Sequence, residues 1–237
     1  NLYFHNLGGA RDVFDARTGT RRVATDEDVI NATRVLDALP NAHTVTPFFT
    51  PQDVPGELMS LYMYRHCLPY TTKPVQGPGI QFADEVKYAV EMAAVVGTPP
   101  EELTLSLSPV SPLTIHDPAA AAIVEMAKAG VICANLPAPT GGATSPMTIT
   151  GSLVQQSAET LALLVLAQIV NPGCGVVYCG RLGMLEPRTG LIWGGVELGL
   201  SSAGTVQLGH LYGFSVNVYG FSTNAHTLDA QNAFERG

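Results

Sequence analysis

Short apolar segments alternate with longer segments of helical pattern along almost the whole chain. The first amphipathic segment begins at Thr25, continues through the acidic turn Asp26-Glu27-Asp28 and ends before Pro40, which predicts a capped helix. Further helices are predicted over residues 53–67, 82–96, 117–128, 151–170 and 197–212 and from residue 229 onward. The apolar segments between them predict strands over residues 43–49, 71–75, 103–107, 131–136, 175–178 and 214–218.

This order gives six strand–helix units, an arrangement typical of a parallel sheet. The dipeptides Asn-Gly and Asp-Gly, which mark tight antiparallel hairpins, do not occur in the chain. A dinucleotide-binding fold requires Gly-x-Gly-x-x-Gly after a strand, and the spacing of Gly175, Gly180 and Gly183 does not match it. We therefore predict an α/β fold of the (β/α)8 TIM-barrel type, with about six of its units in this chain. Residues 1–24 lead into the barrel, and residues 25–237 form it without its last strands.

The composition of the chain reduces the number of functional classes to consider. Charged residues make up 14% of the chain and hydrophobic residues 46%, which favours a large buried surface and a homo-oligomer. The net charge is −8 and the longest basic run is Arg21-Arg22, so a nucleic-acid partner is not expected. The apolar run 161–170 is too short to span a membrane and contains Gln168, and no signal peptide is recognised at the N-terminus.

The four cysteines, Cys67, Cys133, Cys174 and Cys179, have apolar neighbours and form neither a Cys-x-x-Cys pair nor a zinc-type spacing with histidine. We interpret them as buried free thiols of a cytoplasmic protein, and no tightly bound metal is predicted. A metal or redox site at Cys174 and Cys179 is the alternative.

Candidate site residues lie where predicted strands end, because barrels place function at the carboxyl ends of their strands. Aromatic side chains in these positions can hold a cation, at about 0.5–2 kcal/mol each. Glu197 begins a helix and can either stabilise the helix dipole or face a cation. His116-Asp117 could form an acid–base pair, but the start of a helix explains it more simply. Each candidate also fits a role in packing or in a turn.

Several motifs follow one another along the chain. They are Asp15 to Arg22, Ser111-Pro112-Leu113, the loop of residues 137–148 (PAPTGGATSPMT), Gly151-Ser152-Leu153 with Glu159, residues 171–178 (NPGCGVVY), Arg188-Thr189-Gly190, Gly195-Val196-Glu197 and residues 228–233 (LDAQNA). In order and spacing these motifs resemble the trimethylamine methyltransferase family over nearly the whole chain. Members of that family are longer, so the resemblance implies a portion of a longer protein.

The resemblance implies transfer of a methyl group from a quaternary or tertiary methylamine to the Co(I) of a corrinoid (cobalamin) that a separate protein carries. Every residue here is a standard one, which favours a quaternary, betaine-like substrate. The substrate-binding candidates are Phe49, Gln76, Tyr178, Trp193, Glu197, Tyr219 and Phe221. The candidates facing the corrinoid are Ser108, Thr140, Gly141, Gly142, Arg181, Ser222 and Asn224. No residue is singled out as catalytic.

Two other functions stay open. The chain could be a non-catalytic barrel that only binds a corrinoid protein. It could also belong to another TIM-barrel enzyme with a phosphate-bearing substrate, since many barrels bind phosphate in loops after their last strands.

Overall fold

The computed structural model describes residues 2–15, 17–76, 79–193, 196–220, 223, 225 and 229–236. Within them the helices are α1 (Asp26–Ala38), α2 (Met59–Cys67), α3 (Ala83–Val95), α4 (Asp117–Ala129), α5 (Ile149–Val170), α6 (Val196–Leu211) and α7 (Ala230–Arg236). Short 3-10 turns lie at Gly56–Leu58, Leu68–Tyr70 and Pro100–Glu102. The helix predictions are confirmed to within a few residues, apart from the one over 53–67, which begins six residues later as α2.

The strands are β1 (Asp12–Asp15), β2 (Thr20–Val23), β3 (Thr104–Leu107), β4 (Ile132–Asn135), β5 (Thr140–Gly141), β6 (Val176–Gly180), β7 (Gly183–Leu185), β8 (Ile192–Trp193) and β9 (Ser215–Val218). The largest sheet is parallel and has the order β3-β4-β6-β9. Neighbours in this sheet therefore follow one another along the chain, with a helix between each pair. The α/β class is confirmed.

Parallel bridges extend this order towards the N-terminus. They join His5 to Thr44, Ala10 to Phe49, Val45 to Val75 and Gly79 to Ser106. The segments 43–49 and 71–75, predicted as strands, thus take part in the sheet only through isolated bridges. A proline lies in each segment, at positions 47 and 74, and proline has no N–H to donate to a ladder.

The helices α3 to α6 pack on one face of the sheet. Leu105 and Cys133 point to this face and join Ile123, Met126 and Leu163 in the main hydrophobic cluster. Further along the sheet, Tyr178 packs on α6, where Gly209 allows the helix to come close to the strand. The opposite face carries the alternate residues of each strand, and this is where the polar side chains meet.

Two antiparallel pairs were not predicted. β1 pairs with β2 through a turn that ends at Gly19, whose φ of 67° suits glycine. β7 pairs with β8 inside the segment between β6 and α6, for which no strand was predicted. Neither turn contains Asn-Gly or Asp-Gly, the signals on which the prediction depended.

α5 is, by length and composition, apolar enough to cross a membrane, with a mean hydropathy of 1.4 and 39% of its most apolar window buried. Its buried face nevertheless contains Gln156, Glu159 and Thr160. These side chains bond to other parts of the protein, as Thr160 Oγ1 does to the carbonyl of Cys179 at 3.1 Å. A core helix passes the same test of length and apolarity, and these contacts are typical of one.

Candidate functional site

The face of the sheet opposite the helices ends in a group of polar side chains. Asn217 on β9 stands level with Cys179 on β6, and Arg181 follows β6 directly. Both side chains lie on this face because residues two apart in a strand point the same way. The carboxyl ends of parallel strands meet at the same edge of a sheet, so this is the edge where function was predicted.

Arg181 is held on Asn217. Its Nη1 donates to the carbonyls of Gly180 and Asn217, each at 3.2 Å, and its Nη2 donates to Asn217 Oδ1 at 2.8 Å. The guanidinium also lies over the ring of Tyr219, 4.9 Å from its centroid. Only 9% of the residue is exposed. Burial lowers the pKa of Arg181 from its usual value, while the nearby Cys179 and Tyr219 raise it.

The N-terminal segment reaches the same point. His5 Nε2 lies 3.3 Å from Asn217 Oδ1, and His5 Nδ1 lies 3.5 Å from Thr46 Oγ1. Thr46 Oγ1 in turn lies 3.5 Å from Gln76 Oε1. A continuous series of polar contacts thus connects the first bridged segments with the last strand. We call His5, Thr46, Gln76, Arg181, Asn217 and Tyr219 the interior polar cluster.

Three predicted residues belong to this cluster: Gln76, Arg181 and Tyr219. Tyr219 is held in turn by α6, since Ser202 Oγ donates to its carbonyl at 3.0 Å. His5, Thr46 and Asn217 were missed by the sequence analysis. Asn217 offered a usable signal, because it is a lone amide in the apolar stretch Phe214–Val218.

Tyr178 does not join the cluster. It is fully buried on the helix side of the sheet, stacked on Phe214 with ring centroids 6.1 Å apart. The physical reason is the period of a strand: Tyr178 lies one residue from Cys179, which shares a face with Asn217. Burial raises the pKa of the Tyr178 hydroxyl.

The other substrate candidates have different recorded contacts or lie outside the described residues. The Phe49 ring packs on Phe48, with centroids 4.8 Å apart. Glu197 lies in the first turn of α6, where its carbonyl accepts a hydrogen bond from Ser201. The backbone of Trp193 pairs with Met184. Phe221 lies outside the described residues.

Of the candidates expected to face a corrinoid, some are exposed, some are buried or bonded within their own turn, and two lie outside the described residues. Ser108 is exposed after β3, and Gly142 is exposed after β5 with a φ of 87°. Gly141 is buried, and a Cβ there would lie 2.5 Å from the sulfur of Met184. Its lack of a side chain therefore serves packing of β5 against β7. Thr140 begins β5 and bonds within its own turn, while Ser222 and Asn224 lie outside the described residues.

Two loops beside the cluster are tied to α5 by a buried carboxylate. Glu159 is 3% exposed and accepts hydrogen bonds from Ser111 Oγ at 2.7 Å and from the backbone N–H of Leu113 at 2.9 Å. Gln155 donates both to Glu159, at 2.9 Å, and to the carbonyl of Thr144, at 2.8 Å. The loops that follow β3 and β4 are thereby fixed to one helix.

The remaining titratable candidates lie in the core or at the start of a helix. Burial raises the pKa of Cys133 and of Cys179 to about 12 and that of Cys67 to about 11, so these thiols stay protonated at neutral pH. His116 is the residue before α4, and Asp117 is the first residue of that helix. Among the described residues, no group of three His, Cys, Asp or Glu side chains is placed to hold a metal ion.

Comparison with known proteins gives the context of this site. The profile of the family described as trimethylamine methyltransferase (MTTB) matches residues 1–237. The chain is 30% identical over 240 residues to trimethylamine methyltransferase MttB of Desulfitobacterium hafniense strain DCB-2, covering 98% of this chain and 48% of that protein. It is 29% identical over 246 residues to the glycine betaine methyltransferase of strain Y51, covering 99% and 50%.

A third relative is trimethylamine methyltransferase MttB of Methanosarcina barkeri, 33% identical over 134 residues, which covers 56% of this chain and 27% of that protein. The chain thus spans about half the length of the first two relatives.

Proposed function

Because this chain belongs to the trimethylamine methyltransferase family, we propose that it binds a quaternary or tertiary methylamine, betaine-like, and presents one methyl group to the Co(I) of a corrinoid protein. The interior polar cluster carries the proposal. It gathers Arg181, Tyr219 and Gln76 at the carboxyl ends of the parallel strands, where α/β enzymes bind their substrates. The names of the relatives support methylamines and betaines as the substrate class.

The proposal includes a (β/α)8 barrel around this cluster. Two observations support it: neighbouring strands follow chain order, and His5 near the first bridged segment contacts Asn217 on the last strand. In an open doubly wound sheet the order would reverse at a switch point. A sheet that curves back on itself brings its first and last strands together.

The chemistry asks little of the protein beyond positioning. A quaternary ammonium that loses a methyl group leaves as a neutral amine, so no proton need be supplied. The protein must hold a cation, orient it and exclude water, and aromatic faces do this by cation–π attraction. Tyr219 is the best supported of the aromatic candidates, and Phe49, Trp193 and Phe221 remain predictions, as does Glu197. The position of Tyr178 gives no support to a substrate contact.

A corrinoid carried by a partner protein supplies, when bound, a reduced cobalt that accepts the methyl group. The exposed Ser108 and Gly142 suit a docking rim for the polar edge of such a cofactor. The buried Gly141 does not, because its space is filled by Met184. Thr140, Ser222 and Asn224 remain predictions for this rim.

The proposal also includes the cellular compartment and the oligomeric state of the protein. Four free cysteines suit a cytoplasmic protein. Exposed apolar side chains on α5, such as Val165 and Ile169, support a homo-oligomer.

The experiment that tests the function uses the intact protein with glycine betaine, reduced cob(I)alamin and the corrinoid protein of the same source. We expect the visible spectrum to change from that of the reduced corrinoid to that of the methylated one. No change with any quaternary or tertiary methylamine would contradict the proposed function.

A further inference from the structure

Arg181 is a buried cation whose described partners are all neutral. It binds two backbone carbonyls and one side-chain amide, and it stacks on a phenol ring. Five ion pairs occur among the described residues, and none of them includes Arg181. A guanidinium removed from water is unfavourable unless an anion balances its charge. Among the residues that the structure describes, no negatively charged group therefore balances Arg181.

The hydrogen bonds of Arg181 leave one edge of the guanidinium available. A guanidinium carries five N–H groups. Nη1 makes two bonds and Nη2 makes one, so within the described residues Nε–H and the second Nη2–H have no acceptor. Asn217 takes the edge between Nη1 and Nη2 with its two oxygens. The edge between Nε and Nη2 has two parallel donors, which is the geometry that a carboxylate accepts.

The surroundings fix this edge in place. Asn217 holds the guanidinium from one side, and the Tyr219 ring covers its plane. Tyr219 is itself held by Ser202 on α6, and Asn217 is contacted by His5. An arginine immobilised in this way loses little further side-chain entropy when it binds a ligand, which favours a specific contact over a surface ion pair.

We propose that Arg181 binds the carboxylate of the substrate through its Nε–Nη2 edge, so that the protein selects methylated ammonium compounds that carry a carboxylate over those that do not. The inference rests on the proposed function and adds to it the residue that recognises the carboxylate of the substrate. The carboxylate supplies the missing negative charge, and the methylated nitrogen lies towards the aromatic candidates. It also replaces the expectation that Arg181 faces the corrinoid.

The test compares two ligands that share a trimethylammonium group, glycine betaine with a carboxylate and choline with a hydroxyl. Binding to the intact protein is measured by isothermal titration calorimetry for the wild type and for Arg181→Gln. We expect the wild type to bind glycine betaine at least tenfold more tightly than choline. In Arg181→Gln, affinity for glycine betaine falls at least tenfold and affinity for choline changes less than threefold.

Two further variants separate binding from folding. Asn217→Asp keeps the shape of the side chain and gives Arg181 an anionic partner inside the protein, so glycine betaine should again bind at least tenfold more weakly. Arg34→Gln is the matched control, because Arg34 also lies over a tyrosine ring, 4.6 Å from that of Tyr70, but on the exposed surface of α1. It should leave the affinity for both ligands unchanged.

Equal losses for both ligands in Arg181→Gln and Asn217→Asp would show that Arg181 only supports the fold, and would overturn the inference. An unchanged affinity for glycine betaine together with a raised KM for the corrinoid protein would overturn it in favour of a corrinoid contact. Methyl transfer is measured in parallel with both ligands. If the protein transfers methyl groups equally well from both ligands, only the selection by Arg181 is refuted. If it transfers none from glycine betaine or from choline, the proposed function is refuted as well.

Discussion

At the scale of single residues, Glu159 shows how a buried charge can organise a surface. Its carboxylate collects three donors, from Ser111, Leu113 and Gln155, and thereby holds the loop after β3 on α5. Hydrogen bonds to a charged group contribute about 1.5–3 kcal/mol each to the free energy of unfolding, and a buried donor left without an acceptor lowers that free energy by about as much. The carboxylate is thus a support for the loops beside the interior polar cluster.

We predict that Glu159→Ala lowers the free energy of unfolding by about 3 kcal/mol, because the Ser111 hydroxyl and the Leu113 N–H lose their acceptor. Urea unfolding followed by circular dichroism measures the change. Glu125→Ala is the control, since Glu125 pairs with Lys128 on the exposed surface of α4 and should cost less than about 1 kcal/mol. A loss for Glu159→Ala no larger than that of the control would contradict the role of the carboxylate.

A second residue-scale prediction concerns pH. Asp28 accepts two hydrogen bonds from the Arg22 guanidinium, at 2.6 and 2.8 Å, and others from Thr25. The Arg22 bonds are the main reason that the pKa of Asp28 falls from 3.8 to about 2, against an opposing effect of burial. A depressed pKa means that this contribution to stability is complete above pH 3.8 and is lost as the pH falls through 2.

Asp28→Asn should therefore be less stable than the wild type near neutral pH, and the difference should shrink as the pH falls from about 4 to about 2. Thermal unfolding of both proteins across this range measures it. A difference that stays constant down to pH 2 would show that the charge of Asp28 does not contribute.

At the scale of elements, α6 depends on one glycine. A Cβ at Gly209 would lie 2.4 Å from Val216 Cγ2 and 3.1 Å from Tyr178 Cδ1, so the helix can approach β6 and β9 only without a side chain there. Gly199 lies on the same helix with nothing within 4 Å of an added Cβ. The two positions form a natural pair for comparison.

We expect Gly209→Ala to destabilise the protein by about 1–3 kcal/mol through overpacking. Gly199→Ala should stabilise it by about 0.5–1 kcal/mol, since alanine is the better helix former. Denaturant unfolding of both variants tests the pair. Equal effects in both would mean that helix propensity alone decides and that α6 is free to shift.

Among the elements, the helices were predicted from the sequence more completely than the strands and the contacts between them. Helices α1, α3 and α4 were located well because their apolar residues recur with a period near 3.6 and their ends carry signals such as Thr25 before α1 and Gly130 after α4. The mostly apolar α5 shows little such periodicity and was located by its length and by the Asn-Pro-Gly sequence that follows it. The hairpins β1–β2 and β7–β8 were missed because their turns use other residues. The interior polar cluster was predicted only in part, since strand ends are visible in a sequence while the contact of His5 with Asn217 joins segments that lie 212 positions apart.

At the scale of the whole molecule, apolar side chains on α5 are left on the surface. Ile169 is 73% exposed and Val165 is 55% exposed, and both lie on the outer side of the helix. Side chains of this kind in a row are typical of a contact between subunits.

If this row forms the proposed oligomer contact, Ile169→Glu should lower the molar mass measured by light scattering after size-exclusion chromatography. Lys87→Glu on α3 reverses an exposed charge and should leave the mass unchanged. A wild-type protein that elutes as a monomer, or an Ile169→Glu variant with wild-type mass, would contradict the oligomer.

The contact between His5 and Asn217 also has a consequence for biosynthesis, because 212 positions separate the two residues. A ribosome releases the N-terminal end first, so the contact of His5 with Asn217 can form only after β9 has emerged. The hydrogen bonds of Arg181 to Asn217 likewise form only after β9 has been synthesised. Nascent chains that stop short of β9 lack Asn217, so the edge of Arg181 that we propose to bind a carboxylate is not yet held in place. Ligand binding would then report that translation has passed the last strand, which makes it a marker of completed synthesis for this part of the chain.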